Sequence, residues 1–374
     1  VPDLIGGDGG ELAGEVAGLD ILAVGDWLAA HCALRGPITV TPVAGGRSNL
    51  TSVVTDADGR QVVVRRPPLS GVLASAHDMV REARIIAALV GQDVPVPAVL
   101  GVEEDASVTG APFFVMEHVA GAVLRTGGEA SVLTSDARHE VSLAAVDTLV
   151  ALHALDPDAI GLGGLARRDG YLERQLARWS AQLTAAATRA LPDLLAVHER
   201  LVAALPEQRR LTLVHGDFRL DNLIVDVDRG SVAAVLDWEL ATLGDPLADL
   251  GLLLVYWGRP GTASGVLPDA PTALEGFAHP EELIARYAAG TGEDAGELAE
   301  ALRPYIAFSL FKLACILEGV RVRTIAGAYG ALGQGSAMGV EAERYLDLVP
   351  ELARRALAVL TAHDGLGEAS APLR

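Results

Sequence analysis

Apolar and β-branched residues gather in three short β-rich runs, residues 38–43, 50–55 and 61–65, which predict β-strands. Turn-forming clusters at 44–49 and 56–59 separate them, and Pro67-Pro68 ends the third, because proline supplies no ladder donor. Ahead of the strands, Leu19, Leu22, Val24 and Leu28 stand among polar neighbours, so residues 1–35 read as a tail and one amphipathic helix. After the strands, Met79, Ala83, Ile86, Ala87 and Val90 recur at helical spacing, predicting a helix over 75–90 with Ser75 as its cap. Two more strands follow at 98–103 and 113–117, and residues 118–121 read as a hinge. The predicted organisation is a tail and helix (1–35), a β-rich lobe (36–117) and a mainly helical lobe (118–374) interrupted by one hairpin over 222–237. No internal repeat is visible. A β-rich lobe followed by a helical one is an α+β architecture.

Composition narrows the class. In 374 residues, half hydrophobic, there is ample material for a core and no sign of general disorder. The formal charge of −20 opposes binding to nucleic acid or to an anionic membrane, both of which need clustered cations. The longest apolar run, 250–257, is far short of the roughly 20 residues that span a bilayer. No basic-then-apolar signal segment opens the chain, and Cys32 and Cys315 make no disulfide framework. The expectation is a soluble, cytoplasmic protein; oligomeric state is not legible. Among the 29 basic residues only Lys312 is a lysine.

The chemistry concentrates in His215-Gly216-Asp217-Phe218-Arg219-Leu220-Asp221-Asn222 and the segment Leu236-Asp237-Trp238-Glu239. Apolar runs at 223–225 and 232–236 flank the turn 228–231, and an antiparallel hairpin sets the start of its first strand beside the end of its second. Asn222 and Asp237, fifteen residues apart, therefore converge. A neutral oxygen beside a carboxylate suits Mg²⁺, which shares its oxygen ligands with phosphates and water. Asp217, on the loop entering that strand, could reach a hydroxyl opposite the metal-bound phosphate, the arrangement of in-line phosphoryl transfer. Either element alone is ordinary turn chemistry; their order and spacing carry the argument. Neither a Gly-x-x-x-x-Gly-Lys-Ser/Thr loop nor a Gly-x-Ser-x-Gly elbow is present, which opposes a P-loop enzyme and a serine hydrolase.

These motifs resemble the aminoglycoside phosphotransferase and choline kinase branch of the protein-kinase-like fold. The resemblance implies a two-lobed, ATP- and Mg²⁺-dependent O-phosphotransferase acting on a small hydroxylated substrate. Asp217 would be the catalytic carboxylate, Asn222 and Asp237 the metal ligands, and Asp249 a buttress of the catalytic loop. In the N-lobe it places the nucleotide against Gly46 and Ser48, the phosphates against Arg65 paired with Glu82, and adenine on the hinge at Glu117 and Val119. Arg65 stands where the wider fold has lysine, a departure since guanidinium and ammonium are not interchangeable. Residues 63–68, 111–121 and 311–327 resemble one subgroup over about 25–355, the kinase-like domain fused in some proteins to an acyl-CoA dehydrogenase. There the arginine is usual and the implied substrate is a hydroxyacyl-CoA, whose phosphates would call for Lys312, Arg321 or Arg323. Pairing with Glu318 is the structural alternative for those side chains. The other readings are an aminoglycoside- or choline-type amino-alcohol kinase, suited to acidic surroundings, and a nucleotide-binding protein without turnover.

Overall fold

A computed structural model describes residues 18–43, 49–68, 78–186, 188–260, 269–325 and 337–361. The chain divides into two compact units, Val1–Val90 with Pro97–Val119, and Gly91–Val96 with Ala120–Arg374.

The first unit opens with helix α1 (Ile21–Cys32), capped by the Asp20 carboxylate on the N–H groups of Leu22 and Ala23. Strands β1 (Thr39–Pro42), β2 (Leu50–Thr55) and β3 (Gln61–Arg66) form an antiparallel meander. Helix α2 (Met79–Leu89) follows, then β4 (Val99–Glu103) and β5 (Phe113–Glu117), giving one sheet in the order β1-β2-β3-β5-β4. Period-two alternation sends Val62 and Val64 of β3, with Phe113 and Val115 of β5, into the core built by Val24, Trp27 and Leu28 of α1. The intervening residues point to the opposite face, where Arg65 meets Glu82 of α2. With both faces covered, β5 reads as the unbroken apolar run Phe113-Phe114-Val115-Met116. Gly101 of β4 faces Trp27 so closely that an added Cβ would lie 2.7 Å from the indole ring. Two expectations need correction. Leu22 is 81% exposed, because it lies about 200° around the helix from the buried Val24. The α2 cap is Asp78, whose carboxylate accepts the Arg81 N–H, while Ser75 lies outside the described residues.

In the second unit, short helix α3 (Gly127–Ala130) precedes the longer α4 (Ser135–Ala154), α5 (Tyr171–Ala185) and α6 (Pro192–Ala203). Two small antiparallel pairs follow: β7 (Leu223–Asp226) with β8 (Ser231–Val235), and β6 (Thr212–Val214) with β9 (Thr242–Gly244). The hairpin is the expected one; the β6–β9 pair has no periodic signature in the sequence because each strand is only three residues. Pro95 belongs to this unit through its carbonyl, which accepts the Val235 N–H. Helix α7 (Leu247–Tyr256), apolar except for Asp249 and Tyr256, is buried and packed on α9 (Ala295–Ile325), as a core helix must be. Helix α8 (Pro280–Thr291) packs on α4, and α10 (Ala337–Thr361) on α9. Among the described residues no helix is long and apolar enough to cross a membrane.

Candidate active site

The loop 215–219 runs from β6 into a 3-10 turn (Leu220–Asn222) and then β7. Four side chains fix its backbone: Asp249, His215, Lys312 and Asn222. The buried Asp249 carboxylate, in the first turn of α7, accepts the N–H groups of His215 at 2.6 Å and Gly216 at 2.8 Å. Burial would raise that carboxyl, but the hydrogen bond and charge of His153, with the loop N–H, hold it below the usual carboxylate range. His215 is fully buried, its Nε2 lying 2.9 Å from the Leu236 carbonyl and its Nδ1 3.2 Å from the Asp217 N–H. A carbonyl only accepts and a peptide N–H only donates, so this network puts the ring proton on Nε2. Gly216 has φ +80°, and a Cβ there would stand 2.7 Å from the Leu240 carbonyl oxygen, so no side chain fits. Lys312 of α9, itself buried, donates from Nζ to the Gly216 carbonyl at 2.6 Å.

Asp217 leaves this framework partly exposed, with about a quarter of its side chain accessible. The Asn222 amide donates to the Asp217 carbonyl at 2.8 Å and to its carboxylate at 3.2 Å. Its nitrogen is thereby committed to Asp217, which turns its oxygen the other way. The Leu236 N–H bonds the Asn222 carbonyl at 2.8 Å, continuing the hairpin ladder and bringing Asp237 to the same end. Asp237 has φ +64°, a left-handed conformation that Asp tolerates better than most residues and that costs backbone energy. Such a carboxylate and amide oxygen could hold a cation. Among the described residues no three His, Cys, Asp or Glu side chains gather as a metal cluster. Two protein oxygens with the remaining positions left to phosphates and water is a donor set that suits Mg²⁺.

Arg219, two residues after Asp217, is a site residue that sequence reasoning left without a role. Its guanidinium spans Asp217 (3.5 Å) and Asp221 (3.0 Å) and lies over the Tyr256 ring, 4.9 Å from its centroid. Burial works against this cation, and the neighbouring acidic groups, Asp217 first, more than offset it. Burial likewise pushes the Tyr256 phenol up, aided by Asp217, and raises Asp221 despite Arg219 beside it. A pocket adjoins this turn, lined in part by Arg125, Leu220, Asp221, Leu253, Tyr256 and Trp257.

In the first unit, Arg65 and Glu82 form a buried pair: Nε is 3.1 Å from the carboxylate, and the two side chains are 12% and 1% exposed. Arg65 also donates to the Thr51 hydroxyl at 3.4 Å. Glu117 closes β5, its N–H bonding the Ala98 carbonyl, and Val119 follows two residues later at the end of the unit. Gly46 and Ser48 lie outside the described residues. Of the cations considered for a phosphate-bearing substrate, two are engaged elsewhere. Lys312 holds the Gly216 carbonyl, and Arg321 joins Arg189 on the buried Glu318, at 2.6 and 2.7 Å. The hint to Lys312 in the sequence was its being the single lysine, set in an apolar helix.

Comparison with known proteins shows the family and the fold. The profile of a phosphotransferase enzyme family, APH, matches residues 39–305. Acyl-CoA dehydrogenase family member 10 of Mus musculus is 37% identical over 295 residues, which are 78% of this chain and 27% of that protein. Acyl-CoA dehydrogenase family member 11 of Homo sapiens is 33% identical, over 78% of this chain and 37% of its own length. The chain thus spans about a quarter to two-fifths of these curated relatives. A crystal structure from Ralstonia eutropha, of a protein assigned as an aminoglycoside phosphotransferase, aligns with TM-score 0.70 and 30% identity over 90% of this chain and 98% of that one. The GDP complex of an aminoglycoside 2'-phosphotransferase-IIIa mutant aligns with TM-score 0.60 at 18% identity, over 91% and 100%, a likeness of fold.

Proposed function

The chain belongs to the APH phosphotransferase enzyme family, and from that premise we propose that it transfers the terminal phosphate of ATP to a hydroxyl of a small molecule. One observation carries the reading: the Asn222 amide reaches from the Asp217 carboxylate to the hairpin end where Asp237 stands. Asp217 orients the acceptor hydroxyl and takes its proton as the oxygen bonds to phosphorus and ADP leaves. Asn222 and Asp237 are the residues that would hold Mg²⁺, which when bound neutralises charge on the phosphates. Arg65, kept in place by Glu82, contacts the nucleotide phosphates, and the backbone of Glu117 and Val119 receives adenine.

For the acceptor, two features favour a hydroxyacyl-CoA over a polycationic amino alcohol. The guanidinium of Arg219 already lies against Asp217, and Arg125 offsets part of the Asp221 charge, so these carboxylates have less to offer a cationic acceptor. The adjoining pocket offers Leu253, Tyr256 and Trp257 to an acyl chain. The relatives' names, members of an acyl-CoA dehydrogenase family of which this chain matches only a part, point the same way. The test is phosphate transfer from ATP, with Mg²⁺, across hydroxyacyl-CoA thioesters, aminoglycosides, choline and simple alcohols, products being identified by mass spectrometry. We expect phosphorylated thioester. Transfer only to amines would replace the acceptor class, and nucleotide binding with no transfer to any compound would mark a protein without turnover.

A further inference from the structure

We propose that Lys312 is a positioning residue for Asp217, acting through the peptide bond that joins Gly216 to it. That peptide is held at both ends. Its oxygen accepts from Lys312 Nζ at 2.6 Å, and its N–H donates to His215 Nδ1 at 3.2 Å, the same imidazole being anchored on the Leu236 carbonyl. A peptide unit is planar, so fixing its oxygen and its N–H sets both ψ of Gly216 and φ of Asp217. Gly216 supplies the need for such a hold. Having no Cβ and standing at φ +80°, it has more conformational freedom than any other residue would have there, just before the carboxylate that must meet an acceptor hydroxyl. Asp249 constrains the loop one peptide earlier, on the N–H groups of His215 and Gly216, and leaves the following peptide to Lys312 and His215.

Placing the only lysine of the chain here has a cost. Burial pushes the Lys312 amine below its ordinary range, with Asp217 and Asp249 opposing that effect. The Trp179 ring, 5.7 Å away, adds a π face to its surroundings. A buried ammonium is a poor packing element; a methionine would fill the same space at lower cost. What methionine cannot do is donate to the Gly216 carbonyl, and that is the function the geometry assigns to lysine.

This inference rests on Asp217 as the acceptor-orienting group, so the experiment has one arm that needs no turnover. Lys312→Met and Lys312→Gln are compared with the parent, the second keeping a donor of shorter reach without the buried charge. Deuterium exchange over 213–223 reports whether the Asp217 amide is released. Transfer kinetics are measured beside ATP hydrolysis to water, with thermal melting as the control for folding. In a folded Met variant we expect faster exchange in this segment and a KM for ATP within about twofold of the parent. We expect kcat for transfer to fall about 100-fold, the size of effect that a 1 Å misplacement produces, and the ratio of transfer to hydrolysis to fall with it. Gln should recover part of that loss. Parent-like exchange and kcat in a folded variant would overturn the proposal, and so would loss of folding in both, which would make the lysine a structural element alone. A parent that transfers phosphate to no acceptor refutes the phosphotransferase reading; the exchange comparison still decides whether Lys312 holds the loop.

Discussion

Removing a carboxylate that orients a hydroxyl and removing one that holds a cation have different kinetic consequences. Asp217→Asn should lower kcat by a factor of 100 or more, of the order of general-base contributions, while ATP affinity stays near that of the parent. Near-normal turnover would make Asp217 structural. Asp237 needs a gentler substitution, because its left-handed backbone penalises most side chains. Asp237→Asn keeps that conformation accessible and removes the charge. It should weaken Mg²⁺–ATP binding by at least the roughly 10- to 100-fold that loss of an outer-shell partner costs, and spare metal-free adenosine. Equal losses for both ligands, read by titration calorimetry, would indicate a disturbed hairpin. Arg65 and Glu82 behave as one unit. With the Glu82 side chain 1% exposed, Arg65→Ala removes a guanidinium from beside a buried carboxylate and should lower stability as well as ATP affinity. Because both single changes break the same pair, Arg65→Ala/Glu82→Ala should cost less than their sum in a denaturant titration. Additive losses would mean that each side chain draws its support from elsewhere.

At the scale of elements, α9 does two things. Lys312 reaches the Gly216 carbonyl, and six residues further on Glu318 gathers Arg321 from the same helix and Arg189 from the segment before α6. Burial would raise the Glu318 carboxyl, yet hydrogen bonds and charge from the two arginines hold it below its ordinary value, as happens to Asp249 through His153. A depressed folded value stabilises the protein above the unfolded carboxylate range and is lost as pH falls through the folded value. Stability should therefore hold from neutral pH down to about 4 and decline below it. Glu318→Gln should melt lower at pH 7 and lose less on acidification, because one of the titrating groups is gone. A parallel acid limb in parent and variant would assign that limb to other carboxylates. These long-range ties explain what the sequence could and could not tell. Strand β5 was legible to the residue because its apolar run is continuous, β2 because turn-forming clusters bound it on both sides, and the 215–222 loop because its parts lie in one stretch. Lys312 and Gly216 are 96 residues apart and Arg189 and Glu318 are 129 apart, and no local spacing predicts such a meeting. The three-residue strands β6 and β9 escaped for the opposite reason: too few positions for a period.

For the molecule as a whole, the unequal use of its basic residues matters more than the charge of −20. Arginine meets almost every cationic need, at Glu82, Asp221 and Glu318 alike, and the chain's one primary-amine side chain is enclosed against the Gly216 carbonyl. In the folded state an acylating reagent such as an N-hydroxysuccinimide ester therefore finds no accessible side-chain amine. Modification of Lys312 requires the core around α9 to open, so the mass added per unit time to the peptide that carries Lys312, read apart from any α-amine, counts openings of the region beneath Asp217. With reagent dilute enough for reclosing to win, the labelling rate measures the free energy of that opening; with reagent in excess, it measures the opening rate itself. An ordinary protein needs every other lysine removed before such a measurement can be read. This one comes with a single silent reporter, placed where loosening and loss of catalysis should coincide.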